Sequence, residues 1–290
     1  MTIMYLTFGQ KIEYHVQAFL SMISFRRQMT SHDRIVMVTT SPQFYQHVSW
    51  AEIITIDDAQ IKEWQGKHQF FWRAKIMAIG LVGQRYPDDD ILYLDCDTVL
   101  CGSIDELKKW MEEGHGLMDI NEGHPSTKKT KTLRMWKMCQ GRTYGGITLG
   151  IQHNMYCAGV VGIPHQKREE VLRAALAICD GMLDDQIERV VIEQYALSVA
   201  LFEKTSLLET KDCIAHYWSA KEEWMAAAMA MMCKSLLTNA SLEEELKIFE
   251  ETDWNGIPTY IYKSNTARRL RDLVNKAFPD RNPRYINPKT

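Results

Sequence analysis

The segment Ile91-Leu92-Tyr93-Leu94-Asp95-Cys96-Asp97-Thr98 decides how the rest of the sequence is interpreted. Its four leading apolar residues predict a strand that is buried on both faces, as interior strands of a parallel sheet are. Two acidic residues follow at positions i and i+2, so an extended backbone points both carboxylates to one face. Open α/β sheets bind their ligands at the carboxyl ends of the strands. The segment therefore predicts a ligand site at the end of a central strand.

Strand and helix patterns alternate in the chain that precedes this segment. Apolar runs predict strands over residues 3–8, 34–40 and 52–57, and helical spacing of apolar residues predicts helices over 13–28 and 70–82. Such alternation is typical of a mostly parallel sheet that is flanked by helices. We therefore predict an α/β fold, with a catalytic domain over residues 1–235 and a C-terminal helical extension, 236–290, packed on it.

The composition is that of an ordinary globular protein. Of 290 residues, 46% are hydrophobic and 24% are charged, which excludes a disordered or collagen-like chain. The net charge of −3 provides no basic surplus, so we do not expect a nucleic-acid partner.

The seven scattered cysteines form no CxxC pair, which favours a reducing compartment. The N-terminal residues lack the basic start and long apolar core of a signal peptide. No apolar run reaches the ~20 residues of a transmembrane helix. We therefore expect a cytoplasmic protein.

The paired acids indicate a cation site. Two carboxylates held side by side repel each other, and a hard divalent cation relieves that repulsion. The imidazole of His216, which ends another predicted strand, would suit manganese as a third ligand, although a core histidine is the alternative. Lys221 could hold a phosphate oxygen as a point charge, or lie in solvent beside two glutamates.

Tyr93-Leu94-Asp95-Cys96-Asp97-Thr98 resembles the Asp-x-Asp motif of the GT-A glycosyltransferases, especially the family 8-like group of glycogenin-like and lipopolysaccharide galactosyltransferases. Four other segments resemble motifs of that family in the same order, and together they span about residues 1–224: Arg73-Ala74-Lys75, Tyr156-Cys157-Ala158-Gly159-Val160, Glu193-Gln194-Tyr195-Ala196-Leu197-Ser198 and His216-Tyr217-Trp218-Ser219-Ala220-Lys221. The resemblance implies a GT-A fold and transfer of a sugar from a nucleoside-diphosphate sugar, with Mn²⁺ or Mg²⁺ as cofactor.

The resemblance also implies roles for individual residues. The metal ligands would be Asp95, Asp97 and His216. The nucleotide sugar would contact the remaining candidates, which are Thr7, Phe8, Gly9, Arg73, Lys75, Cys96, Gly159 and Lys221, together with both motif acids. Glu193 and Gln194 would lie near the reacting sugar carbon as catalytic residues. Two departures from the family pattern stand out: Cys157-Ala158 replaces Asn-Ser, and Glu193 replaces Asp.

The partners follow in part from the resemblance. Uridine is the commonest base in this family, so we expect a UDP-sugar donor, with a glycan, lipid or protein acceptor. The helix predicted from Arg268 to Phe278 is basic on one side and apolar on the other. We predict that it docks on the catalytic domain; weak contact with an anionic membrane is the alternative. The basic stretch 121–138 predicts a solvated loop, or alternatively a mobile lid over an anionic ligand.

Two other functions remain open from the sequence. Asp95 and Asp97 also fit the nucleophile and acid/base of a haloacid-dehalogenase-like phosphatase, although that motif normally lies on the first strand of its domain. A sugar-nucleotide-binding homologue without transferase activity is the other alternative, because Cys157-Ala158 departs from the family pattern.

Overall fold

The computed structural model describes residues 1–128, 131–262 and 264–278. The strands are β1 Thr2–Thr7, β2 Arg34–Thr39, β3 Glu52–Thr55, β4 Ile91–Leu94, β5 Thr98–Leu100, β6 His115–Met118, β7 Asn121–Gly123, β8 Thr143–Tyr144, β9 Ile147–Thr148, β10 Met155–Tyr156, β11 Val160–Ile163, β12 Ser206–Glu209 and β13 Ile214–His216. The α-helices are α1 Ile12–Arg26, α2 Asp58–Trp64, α3 Arg73–Arg85, α4 Ile104–Glu112, α5 Lys131–Cys139, α6 Arg168–Asp184, α7 Ile192–Lys204, α8 Lys221–Thr238, α9 Leu242–Glu251 and α10 Asn265–Ala277.

The central sheet has seven strands in the order β12-β6-β11-β4-β1-β2-β3. Every neighbouring pair is parallel except the two that contain β11, which runs antiparallel to β4 and to β6. All four residues of β4 are buried, as the apolar run predicts. The predicted α/β fold with a mostly parallel sheet is therefore confirmed.

Helices cover both faces of this sheet because successive side chains of a strand point to opposite sides. Leu92 and Leu94 of β4 belong to an apolar cluster that includes residues of α1, α4, α8 and α9. Ile91 and Tyr93 belong to the opposite cluster, with residues of α3, α6 and α7. The carboxyl end of β4 therefore lies between two helical layers.

The stretch predicted to be a loop over residues 121–138 contains β7 and α5, so that prediction is wrong for most of its length. Met135, Trp136 and Cys139 of α5 are buried. Their spacing places them on one side of a helix, and the basic residues occupy the other. Residues 129–130 lie outside the described part of the chain.

The predicted boundary at residue 235 falls within α8. Helix α9, in the first half of the segment 236–290, packs against earlier parts of the chain. Ile248 and Phe249 of α9 are buried in the cluster that contains α1, and Trp254 stacks on both Phe249 and Trp224 of α8.

The prediction that the last helix docks on the catalytic domain is wrong. In α10, Leu270 is 58% exposed, Leu273 64% and Val274 47%. The physical reason is that an amphipathic pattern identifies the apolar side of a helix but not a surface that covers it. Residues 279–290, the end of the predicted extension, lie outside the described residues.

Among the helices that the structure describes, none is long and apolar enough to cross a membrane. The seven cysteines all lie in described parts of the chain, and each is a free thiol.

Candidate active site

The turn between β4 and β5 carries Asp95, Cys96 and Asp97. The backbone N–H of Asp95 donates to the carbonyl oxygen of Gly159 at 2.8 Å, and the N–H of Tyr217 donates to the carbonyl oxygen of Asp97 at 3.0 Å. These two hydrogen bonds hold the turn against the residue before β11 and the residue after β13. The hydroxyl of Tyr93 donates to Oδ1 of Asp95 at 2.7 Å, which orients that carboxylate.

The antiparallel pairing of β13 with β5 places His216 beside this turn. The register sets His216 opposite Thr98, the residue after Asp97. Nε2 of His216 lies 3.4 Å from Oδ2 of Asp97, and Nδ1 lies 2.7 Å from Oδ2 of Asp119. Although burial lowers the pKa of His216, its hydrogen bonds to Asp119 and Asp97 outweigh that effect and raise the pKa.

Gly159 provides the space in which the imidazole of His216 lies. A Cβ atom built at Gly159 would overlap the ring, with Nε2 only 3.0 Å away and Cε1 and Nδ1 closer still. The close neighbour of this glycine is therefore a side chain of the candidate site.

Two lysines neutralise the carboxylates. Nζ of Lys75 lies 3.2 Å from Oδ1 of Asp95 and donates to the carbonyl oxygen of Ala158 at 2.9 Å. Nζ of Lys221 lies 2.9 Å from Oδ2 of Asp97. Burial lowers the pKa of each lysine, but the neighbouring carboxylates outweigh it and raise the pKa, so both side chains stay cationic. Burial raises the pKa of Asp97, and His216 and Lys221 outweigh that effect and lower it.

A cleft opens beside these charges. Its lining includes the polar and charged side chains of Lys75, Asp95, Cys96, Asp97 and Lys221. It also includes Thr7 at the end of β1 and the aromatic rings of Phe8, Tyr14, Phe71 and Trp72. The rings of Phe8 and Phe71 meet edge to face, with centroids 4.6 Å apart. The cleft therefore combines charged groups with flat aromatic surfaces.

Thr7 and Phe8 line this cleft, and Gly9 is the next residue of the chain. The hydroxyl of Thr7 is committed to Thr39, to which it donates at 2.9 Å. Gly9 has a φ of +75°, and its carbonyl oxygen accepts a hydrogen bond from Ser41 at 2.8 Å. This turn at the end of β1 is thus held in place by its neighbours.

Glu193 and Gln194 lie in the first turn of α7. Glu193 is only 6% exposed, and among the described residues its Oε2 has no hydrogen-bond partner. Burial raises the pKa of this carboxyl group against the opposing effect of nearby Lys75. Gln194 is half-buried in the same turn. A buried carboxyl oxygen without a partner close to Lys75 is a group that a ligand could satisfy.

The side chain of Arg73 contacts α6 and not the acids of the candidate site. Its guanidinium forms a two-point ion pair with Asp180 of α6, at 2.7 and 3.0 Å, and donates to the carbonyl oxygen of Trp64. Residues two apart on a helix point in different directions, so Lys75 reaches Asp95 while Arg73 points to α6. We therefore assign Arg73 a structural role in place of the predicted ligand contact.

Sequence reasoning missed Asp119, which is 5% exposed and follows β6 directly. Its carboxylate holds Nδ1 of His216 and leaves Nε2 facing Asp97. Carboxylates commonly fix metal-binding histidines in this way, through the ring nitrogen that is not a ligand. An acid directly after a strand, the pattern that identifies Asp95 and Asp97, was the available signal.

The donor set fits a divalent cation. One ligand atom each from Asp95, Asp97 and His216 lies within 4.8 Å of the others. Two carboxylates and an imidazole are ligands that Mn²⁺ accepts, and Mg²⁺ accepts the carboxylates. These three side chains could therefore hold the cation between the strand ends and the cleft.

No family model matches the sequence, and no curated protein matches it. Solved structures with similar chain paths include mouse xyloside xylosyltransferase 1 in its apo form, at 11% identity and a TM-score of 0.45, covering 71% of this chain and 82% of that one. They also include galactosyltransferase LgtC in complex with donor and acceptor sugar analogues, at 11% identity and a TM-score of 0.47, covering 93% and 99%. A structure of an active-site mutant of LgtC is similar at 12% identity and a TM-score of 0.47, covering 72% and 73%.

Proposed function

We propose that the protein is a metal-dependent glycosyltransferase that uses a nucleoside-diphosphate sugar, with UDP-sugar as the preferred donor and a glycan, lipid or protein as acceptor. The observation that carries the proposal is the grouping of ligand atoms of Asp95, Asp97 and His216 within 4.8 Å, at strand ends beside a cleft lined by charged and aromatic side chains. The motifs that resemble the GT-A glycosyltransferases include these three residues.

Breaking the anomeric C–O bond leaves a diphosphate on which negative charge grows. A cation held by Asp95, Asp97 and His216 would supply a Lewis acid for that charge. Lys221, whose ammonium group lies 2.9 Å from Asp97, would bind a phosphate oxygen from the open side of the cleft. Because its charge is fixed before the reaction, little reorganisation is needed when the bond breaks.

Other residues would orient the sugar and the nucleotide. Lys75 is buried between Asp95 and the carbonyl oxygen of Ala158, so it holds the Asp95 carboxylate in place. The unpartnered oxygen of Glu193 would accept a hydrogen bond from a sugar hydroxyl, with Gln194 beside it. The aromatic rings of Phe8, Phe71 and Trp72 in the cleft would stack against the nucleobase.

Nucleotide binding and turnover test the proposal on one preparation. Thermal unfolding is measured with UDP, UDP-sugars and other nucleotides, each with and without MnCl₂. A ligand at 100 times its Kd stabilises the native state by about 2.7 kcal/mol. We expect stabilisation by UDP that requires Mn²⁺ in the wild type and is absent in Asp97→Asn. UDP release from a UDP-sugar should show the same dependence.

The alternatives give different results in the same assays. Hydrolysis of p-nitrophenyl phosphate that Asp95→Asn abolishes, without any response to nucleotides, would replace the proposal with a phosphatase. Mn²⁺-dependent nucleotide binding without UDP release, across a panel of donors and acceptors, would support a binding protein.

A further inference from the structure

The imidazole of His216 faces a different set of ligand atoms at each nitrogen. Nε2 faces Asp97 of the proposed catalytic cation site. Nδ1 lies 2.7 Å from Oδ2 of Asp119 and 3.6 Å from Sγ of Cys157. One ligand atom each from Asp119, Cys157 and His216 lies within 4.8 Å of the others, so the two groups share one imidazole.

The ligand atoms of the second group suit a softer cation than Mn²⁺. A thiolate and an imidazole together favour Zn²⁺, and a carboxylate completes three protein ligands with a fourth position left for water. With Zn–S near 2.3 Å and Zn–N near 2.05 Å, tetrahedral geometry separates sulfur and nitrogen by about 3.6 Å. The distance from Cys157 to His216 already has this value.

The backbone holds these ligands in place before any cation arrives. The N–H of Asp119 donates to the carbonyl oxygen of Cys157 at 3.3 Å, and the N–H of Cys157 donates to the carbonyl oxygen of Ile120 at 2.9 Å. Asp119 and the imidazole are buried, whereas Cys157 is partly exposed and gives an ion access. The cation would need to widen the contact between Asp119 and His216.

We propose that Asp119, Cys157 and Nδ1 of His216 form a second cation site, selective for Zn²⁺, whose occupation excludes the catalytic cation. Binding of Zn²⁺ releases the thiol proton of Cys157 and the Nδ1 proton of His216 to solvent. A neutral imidazole has one nitrogen lone pair, so Zn²⁺ at Nδ1 leaves Nε2 protonated and unable to bind Mn²⁺. The exclusion rests on the proposed function, but the Zn²⁺ site itself does not.

The site is tested with Co²⁺, which replaces Zn²⁺ and reports thiolate ligation by a near-ultraviolet charge-transfer band. We expect the band in the wild type and in Cys101→Ser, which removes an exposed thiol elsewhere, but not in Cys157→Ser. Loss of a direct ligand should weaken Zn²⁺ binding by at least about tenfold in competition with Co²⁺. A wild type without the band, or a band that persists in Cys157→Ser, would overturn the site. Asp119→Asn, with the same expected loss of Zn²⁺ affinity, serves if Cys157→Ser does not fold.

The exclusion is tested by titrating Mn²⁺ in the presence of UDP, with and without Zn²⁺. In the wild type, Zn²⁺ should raise the apparent Kd for Mn²⁺ at least tenfold, and in Cys157→Ser the rise should be smaller, because only direct competition at the catalytic site remains. An equal rise in both proteins would overturn the exclusion. If UDP and Mn²⁺ do not bind to the wild type at all, the proposed function fails, and the Co²⁺ band still decides whether the second site exists.

Discussion

The substitution Gly159→Ala should separate metal binding from folding. The new methyl group would overlap the imidazole of His216, whose Nε2 lies 3.0 Å from the position of that Cβ and whose Cε1 and Nδ1 lie closer. Carbon atoms pack at about 3.5–4.0 Å, so the ring would have to move by more than about 1 Å. That movement would break its 2.7 Å hydrogen bond to Asp119.

The expected loss of Mn²⁺ affinity follows from disturbing the orientation of His216, a proposed ligand. Disturbing the groups that orient metal-bound histidines costs about 10–100-fold in metal affinity. Overpacking should also destabilise the fold by about 1–3 kcal/mol. Gly162→Ala is the matched control on β11, because its Cβ would lie 2.7 Å from Cβ of Leu117 and would not press on His216.

Calorimetric titration of Mn²⁺ with UDP, together with the melting temperature of each variant, makes the comparison. Both variants should melt earlier than the wild type, and only Gly159→Ala should bind Mn²⁺ more weakly. If Gly159→Ala melts earlier with an unchanged Kd for Mn²⁺, His216 is not a ligand and the reasoning fails.

The remaining predictions concern four residues. Asp97→Ala should abolish Mn²⁺-dependent UDP binding, measured by calorimetry, while circular dichroism shows the fold intact, because it removes a proposed cation ligand from a turn that backbone hydrogen bonds hold in place. His216→Ala should weaken Mn²⁺ binding less than Asp97→Ala does, since water can replace one neutral ligand; an unchanged Kd with a lower melting temperature would make it a core histidine. Arg73→Met should lower stability to urea by about 1–3 kcal/mol and leave the Kd for UDP unchanged, because its ion pair holds α6; a weaker Kd at full stability would restore its predicted role. Burial raises the pKa of Asp33, but hydrogen bonds from Lys108 and Thr30 outweigh it and lower the pKa, so its stabilising effect should be lost as the pH falls below the carboxyl's unfolded value. Asp33→Asn should therefore reduce the acid sensitivity of the melting temperature, and an identical pH profile would contradict this.

The central strand and its two acids could be predicted because the information is local. Ile91–Leu94 is a continuous apolar run, and its burial on both faces requires only that helices cover the sheet. Asp95 and Asp97 follow in the same segment, so their proximity depends on only a few backbone angles. The end of β4 is therefore the part of the site that the sequence specifies most directly.

The surroundings of His216 could not be predicted in the same way. Asp119 lies 97 positions earlier in the chain, and their contact depends on the pairing of β13 with β5 and on the position of β6 in the sheet. The exposed apolar face of α10 has a similar cause, because an amphipathic pattern identifies a face without specifying what covers it.

The assembly of the site from distant segments has a consequence for how the chain folds. Cys157 and His216 are 59 positions apart, and Asp119 and His216 are 97 apart, so no short stretch of unfolded chain contains a complete set of cation ligands. Closing such loops is slow, because the chain loses conformational entropy before the distant strands pair and stabilise the closed loop. A divalent cation should therefore slow unfolding of the native protein but leave the early steps of refolding unchanged. Recovery of cation affinity after dilution from denaturant would then report when β13 pairs with β5.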